Sequence, residues 1–144
     1  MAQFGIYLVF PGTTEEAFTY YKGVFGTEFA GNIARMGDMP PMEGTPPLSD
    51  EEKNYIANIQ LPILGGQLLL GNDMVASWGQ LTVGNNFSIC LMPDSREEAA
   101  RLFKELGEGG SVSVPLQDQF WGDYFGQVTD KFGIAWMVNY SPRG

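Results

Sequence analysis

Residues 6–26 read IYLVFPGTTEEAFTYYKGVFG, and residues 88–107 read SICLMPDSREEAARLFKELG. Set 82 residues apart, the two stretches agree: Pro11 falls on Pro93, Thr13 on Ser95, Glu15-Glu16 on Glu97-Glu98, Ala17 on Ala99, Tyr21 on Phe103 and Lys22 on Lys104. Each opens with a short apolar run stopped by proline, the pattern of a buried strand. Each goes on with Thr or Ser three residues before a Glu, a capping-box pattern, and then an apolar stripe at helical spacing. The first stripe is Ala17, Tyr20, Tyr21, Val24 and Phe25, ended by Gly26; the second is Ala99, Leu102, Phe103 and Leu106, ended by Gly107. A strand–helix unit that occurs twice predicts two similar modules facing each other, with a cleft between them.

Further strand-like segments follow each helix. In the first half they are Glu28–Met36, Tyr55–Leu61 and Gln67–Gly71, with Gly65-Gly66 turning the last pair. In the second half they are Ser111–Pro115, Tyr124–Thr129 and Ile134–Tyr140, with Asp130-Lys131-Phe132-Gly133 as the turn. Each half therefore reads β-α-β-β-β. The fold class is α+β: two paired modules, 1–80 and 81–144, forming curved mixed sheets with helices packed outside, in a single domain 1–144. Residues 37–53 interrupt the first module with Pro40, Pro41, Pro46 and Pro47 and end in Asp50-Glu51-Glu52. They read as a lid-like or plainly solvated loop, and Ser49-x-x-Glu52 caps one short helical turn.

Composition narrows the function. With 44% apolar and 17% charged residues, the chain is globular rather than disordered. A net charge of −9 argues against nucleic acid and against an anionic membrane, and tolerates a cationic ligand. The single cysteine, Cys90, has no internal disulfide partner, and no apolar run nears the length of a membrane span, so the expected compartment is the cytoplasm. Cys90 lies in an expected strand and reads as a buried, inert thiol. The chain has no histidine, which removes Ser–His and Cys–His nucleophiles. Gly107–Gly110 closes a helix instead of opening one, so no nucleotide fingerprint is present, and a methyl-donor nucleotide motif is missing by the same criterion.

The layout resembles the vicinal oxygen chelate superfamily of glyoxalases, extradiol dioxygenases and bleomycin-resistance proteins. The ending, Phe120-Trp121-Gly122, Phe125-Gly126 and Thr129-Asp130-Lys131-Phe132-Gly133 before Trp136-Met137-Val138-Asn139, is similar to the tail of its PhnB-like branch. So are the opening Tyr7-Leu8-x-Phe10-x-Gly12-x-x-Glu15-Glu16-Ala17, the pair Met39-Pro40 and Gly71-x-Asp73. The resemblance covers the whole chain. It implies a glyoxalase-like fold and a homodimer, and in metal-dependent relatives a divalent metal held by His, Gln and Glu. The matching positions fall near Gly5 or Ile6, near Asn86 or Phe87, near Met137 and at Ile56. Only Asn86 among these offers an oxygen donor, so no metal and no cofactor is expected. Carboxylates near turns, Asp73, Asp118, Asp123 and Asp130, are the substitute donors to weigh. Asp130 suits backbone hydrogen bonding in its turn, and the others suit solvated loops.

An aromatic, methionine-rich surface remains. Trp78, Trp121, Tyr124, Phe125 and Trp136 lie in segments expected to border the cleft, with Met74 and Met137 nearby. Such side chains line pockets for flat or cationic ligands, and equally pack a core or a dimer interface. The expected ligand-binding residues are Tyr7, Trp78, Trp121, Asp123, Tyr124 and Met137. The expected function is glyoxalase-like small-molecule binding without catalysis. The alternatives are a divalent-metal lyase, isomerase or dioxygenase using carboxylate ligands, and a non-catalytic scaffold or interaction protein.

Overall fold

β1 (Gly5–Phe10) is the apolar run before Pro11, and α1 (Thr14–Phe25) follows it across Pro11-Gly12-Thr13. The computed structural model describes residues 2–41 and 43–142. The chain divides into two units, Met1–Thr82 and Val83–Gly144. The first unit continues with β2 (Ala34–Arg35), the short helix α2 (Asp50–Lys53), β3 (Ile56–Pro62) and β4 (Leu68–Asp73). The second contains β5 (Ile89–Leu91), α3 (Arg96–Gly107), β6 (Ser111–Asp118), β7 (Tyr124–Thr129) and β8 (Ala135–Tyr140). Their sheets have the same order, β1-β4-β3-β2 and β5-β8-β7-β6. In each, the first strand pairs in parallel with the last, and the other neighbours are antiparallel. The repeat read in the sequence is thus a repeat of topology.

Each helix buries its stripe on one face of its own sheet. Ala17, Phe18, Tyr21 and Val24 of α1 are buried with Leu8, Phe10, Ile59, Leu61 and Leu69. Ala99, Leu102 and Leu106 of α3 are buried with Ile89, Leu91, Val128, Trp136 and Val138. Close approach needs glycine at two sheet positions. A Cβ on Gly71 would meet Phe18 Cε1 at 2.8 Å, and one on Gly126 would meet Phe103 Cε1 at 2.5 Å. Fully burying each large apolar side chain contributes about 1.5–3 kcal/mol, so these stripes dominate the stability of each unit.

The helix starts differ from expectation in one place. Ser95 caps α3 as its spacing predicts, its side chain accepting from the Glu98 N–H at 3.1 Å. Thr13 makes no such bond; the first turn of α1 is capped from outside. Asp73, the last residue of β4, accepts from the Thr14 N–H at 2.9 Å and from its hydroxyl at 2.6 Å. Its other oxygen accepts from the Ile56 N–H at 2.8 Å. The negative group sits where the helix dipole favours it.

Two further expectations are corrected. The strand expected over Glu28–Met36 shrinks to Ala34–Arg35, because Gly31 turns the chain at φ 70° and single bonds, such as Ala30 N–H to Gln60 O at 2.9 Å, replace a ladder. Cys90 is exposed rather than buried. The β1–α1 link is Pro11-Gly12-Thr13, whereas the β5–α3 link is Met92-Pro93-Asp94-Ser95, one residue longer. The helices keep the sequence register and the strands slip by one, which moves a side chain to the opposite sheet face. Ile89 and Leu91 take the buried positions, and Cys90 faces away.

Candidate functional site

The insertion shapes a pocket in the first unit. It leaves β2 through a tight turn at Met36–Asp38, where the Met36 N–H donates to Tyr55 O at 2.8 Å, and it returns through α2. The wall it supplies is Met39, the pairs Pro40-Pro41 and Pro46-Pro47, and Leu48. Prolines suit such a wall, since they hold φ fixed and carry no N–H that would need a partner in an apolar lining. The facing wall is Val75 and Trp78, the latter on a short turn, Ala76–Trp78, in which its N–H donates to Val75 O at 3.0 Å. The space is about 360 Å³, with Thr45, Ser77 and Lys53 as its polar lining.

Glu52 joins the two walls. Its Oε1 accepts from the Ser49 N–H at 3.0 Å, while the Glu52 N–H donates to Ser49 Oγ at 3.1 Å, the capping box predicted for this turn. Its Oε2 accepts from the Ala76 N–H at 2.9 Å. These backbone donors hold its carboxyl below the usual glutamate range.

The second unit has a recess of about 730 Å³ on the face of its sheet turned away from α3. Register places Cys90, Met137 and Gln127 in one row across β5, β8 and β7. Ser88, Ser113, Gln127 and Thr129 line the recess, together with residues 83–85. Partial burial pushes the Cys90 thiol above its ordinary value.

The six expected ligand-binding residues occupy separate places. Trp78 lines the pocket of the first unit. Tyr7 stands on the helix-free face of the same unit, paired in register with Leu70, 55% exposed, its phenol pushed up by partial burial. Met137 stands on the helix-free face of the second unit beside Cys90. Trp121, Asp123 and Tyr124 belong to the β6–β7 hairpin. The Trp121 ring meets Phe120 edge-on at 5.1 Å and tilts against Phe125 at 6.0 Å. Asp123 accepts from Asn139 Nδ2 at 3.1 Å. Tyr124 lies under the Arg96 guanidinium, 3.9 Å from its ring centre.

Sequence reading missed Arg96, and it found the capping box of Glu52 without its bond to Ala76. Arg96 forms a bidentate pair with Asp118 at 2.8 and 3.2 Å, which lowers the Asp118 carboxyl and raises the guanidinium. The available signal was a cation in the first turn of α3, where the helix dipole disfavours it unless it is engaged elsewhere.

The residues do not fit the metal that this fold family often carries. Ile6 and Ile56 are hydrocarbon, and Met137 offers only a thioether. The candidate carboxylates are spent on backbone and side-chain donors: Asp73 at α1, Asp118 on Arg96, and Asp130 on the Phe132 and Ile134 N–H groups and on Trp136 Nε1. Among the described residues, no group of three or more His, Cys, Asp or Glu is placed to hold a metal ion. No helix among them is long and apolar enough to cross a membrane.

Comparison with known proteins agrees with this architecture. The family model described as 3-demethylubiquinone-9 3-methyltransferase matches residues 2–139. The protein YjdN of Escherichia coli K12 is 30% identical over 138 residues, covering 92% of this chain and 91% of its own. The crystal structure of PA1353 from Pseudomonas aeruginosa is 36% identical and superposes with a TM-score of 0.83 over 98% of both chains. The PhnB protein from Bacillus cereus, at 22% identity, shares the fold with a TM-score of 0.74 over 97% of this chain and 100% of its own. The chain therefore belongs to the PhnB-like family that this model describes, within the glyoxalase/bleomycin-resistance fold.

Proposed function

We propose that this chain is a small-molecule-binding protein of the PhnB-like family that works without the chelating metal triad of its superfamily. The observation that carries the reading is the pocket of about 360 Å³ between the proline pairs and Trp78. Its volume falls in the range of about 300–1,000 Å³ common to ligand sites, and its lining is apolar with few polar groups. A flat, mainly apolar ligand, neutral or cationic, fits that lining and the net charge of −9. Catalysis through a metal finds no support in the donor set. The family description names a methyltransferase, but neither strand-to-helix turn, Pro11-Gly12-Thr13 or Met92-Pro93-Asp94-Ser95, has the glycine pattern that cradles a nucleotide.

The same reading has the chain acting as a cytoplasmic homodimer. Phe4, Phe87, Met92 and Phe120 are exposed, and a second copy is the simplest cover for such side chains. Analytical ultracentrifugation decides that point, with a purely monomeric chain as the adverse result.

Nile red titration tests the binding site, since the dye is flat, uncharged and brightens in apolar surroundings. The wild type should bind it with saturation, and Trp78→Ala should weaken binding about tenfold or more. Equal affinity in both proteins would remove the pocket from consideration. Tight binding of Mn²⁺ or Ni²⁺ at one ion per chain would overturn the metal-free reading.

A further inference from the structure

We infer that Glu52 is a clasp that regulates entry to the pocket, by fastening the insertion to the Ala76–Trp78 wall. The inference rests on the small-molecule reading for its biological meaning, and on geometry alone for the clasp. Two features point to it. First, the two carboxylate oxygens serve different segments: Oε1 takes the Ser49 N–H at 3.0 Å on the insertion, and Oε2 takes the Ala76 N–H at 2.9 Å on the turn that carries Trp78. A residue serving only as the far half of a capping box needs the first bond and has no use for the second.

Second, the other described attachments gather where the insertion leaves and rejoins the sheet, next to Glu52. The Met36 N–H donates to Tyr55 O at 2.8 Å, and Arg35 holds Glu15 at 2.7 Å and Asn54 O at 3.0 Å. Gly37 lies so close to Lys53 that a Cβ there would meet the Lys53 carbonyl oxygen at 2.8 Å. The entry and exit of the insertion are therefore drawn together at the sheet, with Met39–Pro41 and Thr45–Leu48 lining the pocket between them. A loop anchored in this way swings as a flap about its base. Among the described contacts, the bond that ties this end of the insertion to the facing wall is the one to Ala76. Charge-assisted hydrogen bonds of this type are the stronger kind, yet one such bond at a half-exposed site opens readily.

Hydrogen exchange on the free protein is the first test, because it needs no ligand and stands apart from the small-molecule reading. Glu52→Ala should speed exchange at Ala76, Trp78 and the amides of 37–53 by about tenfold. Glu52→Gln keeps one acceptor oxygen and should fall between. Ser49→Ala removes the acceptor for the Glu52 N–H but spares the bond to Ala76, so only residues 49–54 should loosen. The clasp is refuted if Glu52→Ala leaves Ala76 and Trp78 as slow as in wild type, or if Ser49→Ala loosens them equally. Stopped-flow release of Nile red is the second test. Glu52→Ala should release the dye several-fold faster, while Trp78→Ala weakens its equilibrium binding about tenfold or more. A wild type that never binds the dye sinks the small-molecule reading, and the exchange data still judge the clasp.

Discussion

The Thr14 hydroxyl donates to Asp73 Oδ1 at 2.6 Å, joining the first turn of α1 to the last residue of β4. The same carboxylate also accepts from the Thr14 and Ile56 backbone N–H groups. Asp73 is 1% exposed, so removing it strands three donors away from water. Each stranded donor costs about 1–3 kcal/mol. Asp73→Ala should therefore destabilise the first unit by about 3 kcal/mol or more, and Thr14→Val, which loses only the hydroxyl bond, by about 1 kcal/mol. Urea unfolding followed by circular dichroism checks both. Equal losses for the two variants would show that the backbone donors find other partners.

Two glycines inside regular elements, Gly126 buried in β7 and Gly23 exposed on α1, should respond with opposite sign. A Cβ on Gly126 would meet Phe103 Cε1 at 2.5 Å and the Leu116 backbone at 2.9 Å. The backbone cannot yield as a side chain can, so Gly126→Ala should cost about 1–3 kcal/mol. Gly23 lies inside α1 with nothing within 4 Å of its added Cβ. Gly23→Ala should stabilise by about 0.5–1 kcal/mol, since alanine loses less backbone freedom in a helix. Thermal unfolding of the two variants gives the signs directly.

The sequence carried the architecture further than it carried the site. Strand, cap, stripe and stop recur around Pro11 and Pro93, and that local chemistry yields the same sheet order in both units. The slip at Cys90 was hidden because both prolines align without a gap, while the extra residue of the link, Met92, lies just before the second one. A period of two makes a strand sensitive to that single residue. Asp73 looked like a turn carboxylate because its partner Thr14 lies 59 residues away, a distance no local pattern spans. Trp78 was legible as an aromatic to weigh for a pocket, and it stands on a pocket wall. The opposite wall was not legible, because Pro40, Pro41, Pro46 and Pro47 signal only that helix and strand stop there. Glu52 showed its capping box to Ser49 but gave no sign of the reach to Ala76.

Cys90 should be open to reagents yet slow. Its position beside Met137 on the helix-free face leaves it exposed, and partial burial raises its thiol above the ordinary value. The thiolate is the reactive form, so a raised value lowers the reactive fraction at neutral pH. N-ethylmaleimide should label the native protein completely without denaturant, more slowly at pH 7 than the urea-unfolded chain. The native rate should keep rising about tenfold per pH unit past the point where the unfolded rate levels off. A native protein that resists labelling until it unfolds would contradict the exposure of this face.

The Glu52 clasp should have a pH limit, and its sign follows from its partners. Backbone donors from Ser49 and Ala76 hold the ionised carboxylate, so the folded value lies below the ordinary 4.5. The titratable groups around it are Asp50, Glu51 and Lys53 on α2, with the neutral phenol of Tyr55 beyond, and the Ala76–Trp78 wall adds none. A depressed folded value means that the clasp's contribution is fully present above the unfolded value and is lost as pH falls through the folded one. The clasp should therefore stay shut across neutral pH and loosen only in acid, below pH 4.5. The Ala76 amide proton reports this directly, because its chemical shift follows the charge on its acceptor. In an NMR titration it should move with an apparent midpoint below 4.5, and in Glu52→Gln it should not move over that range. A midpoint at or above that of a free glutamate would mean that the carboxylate spends its time in solvent, with the two walls unjoined.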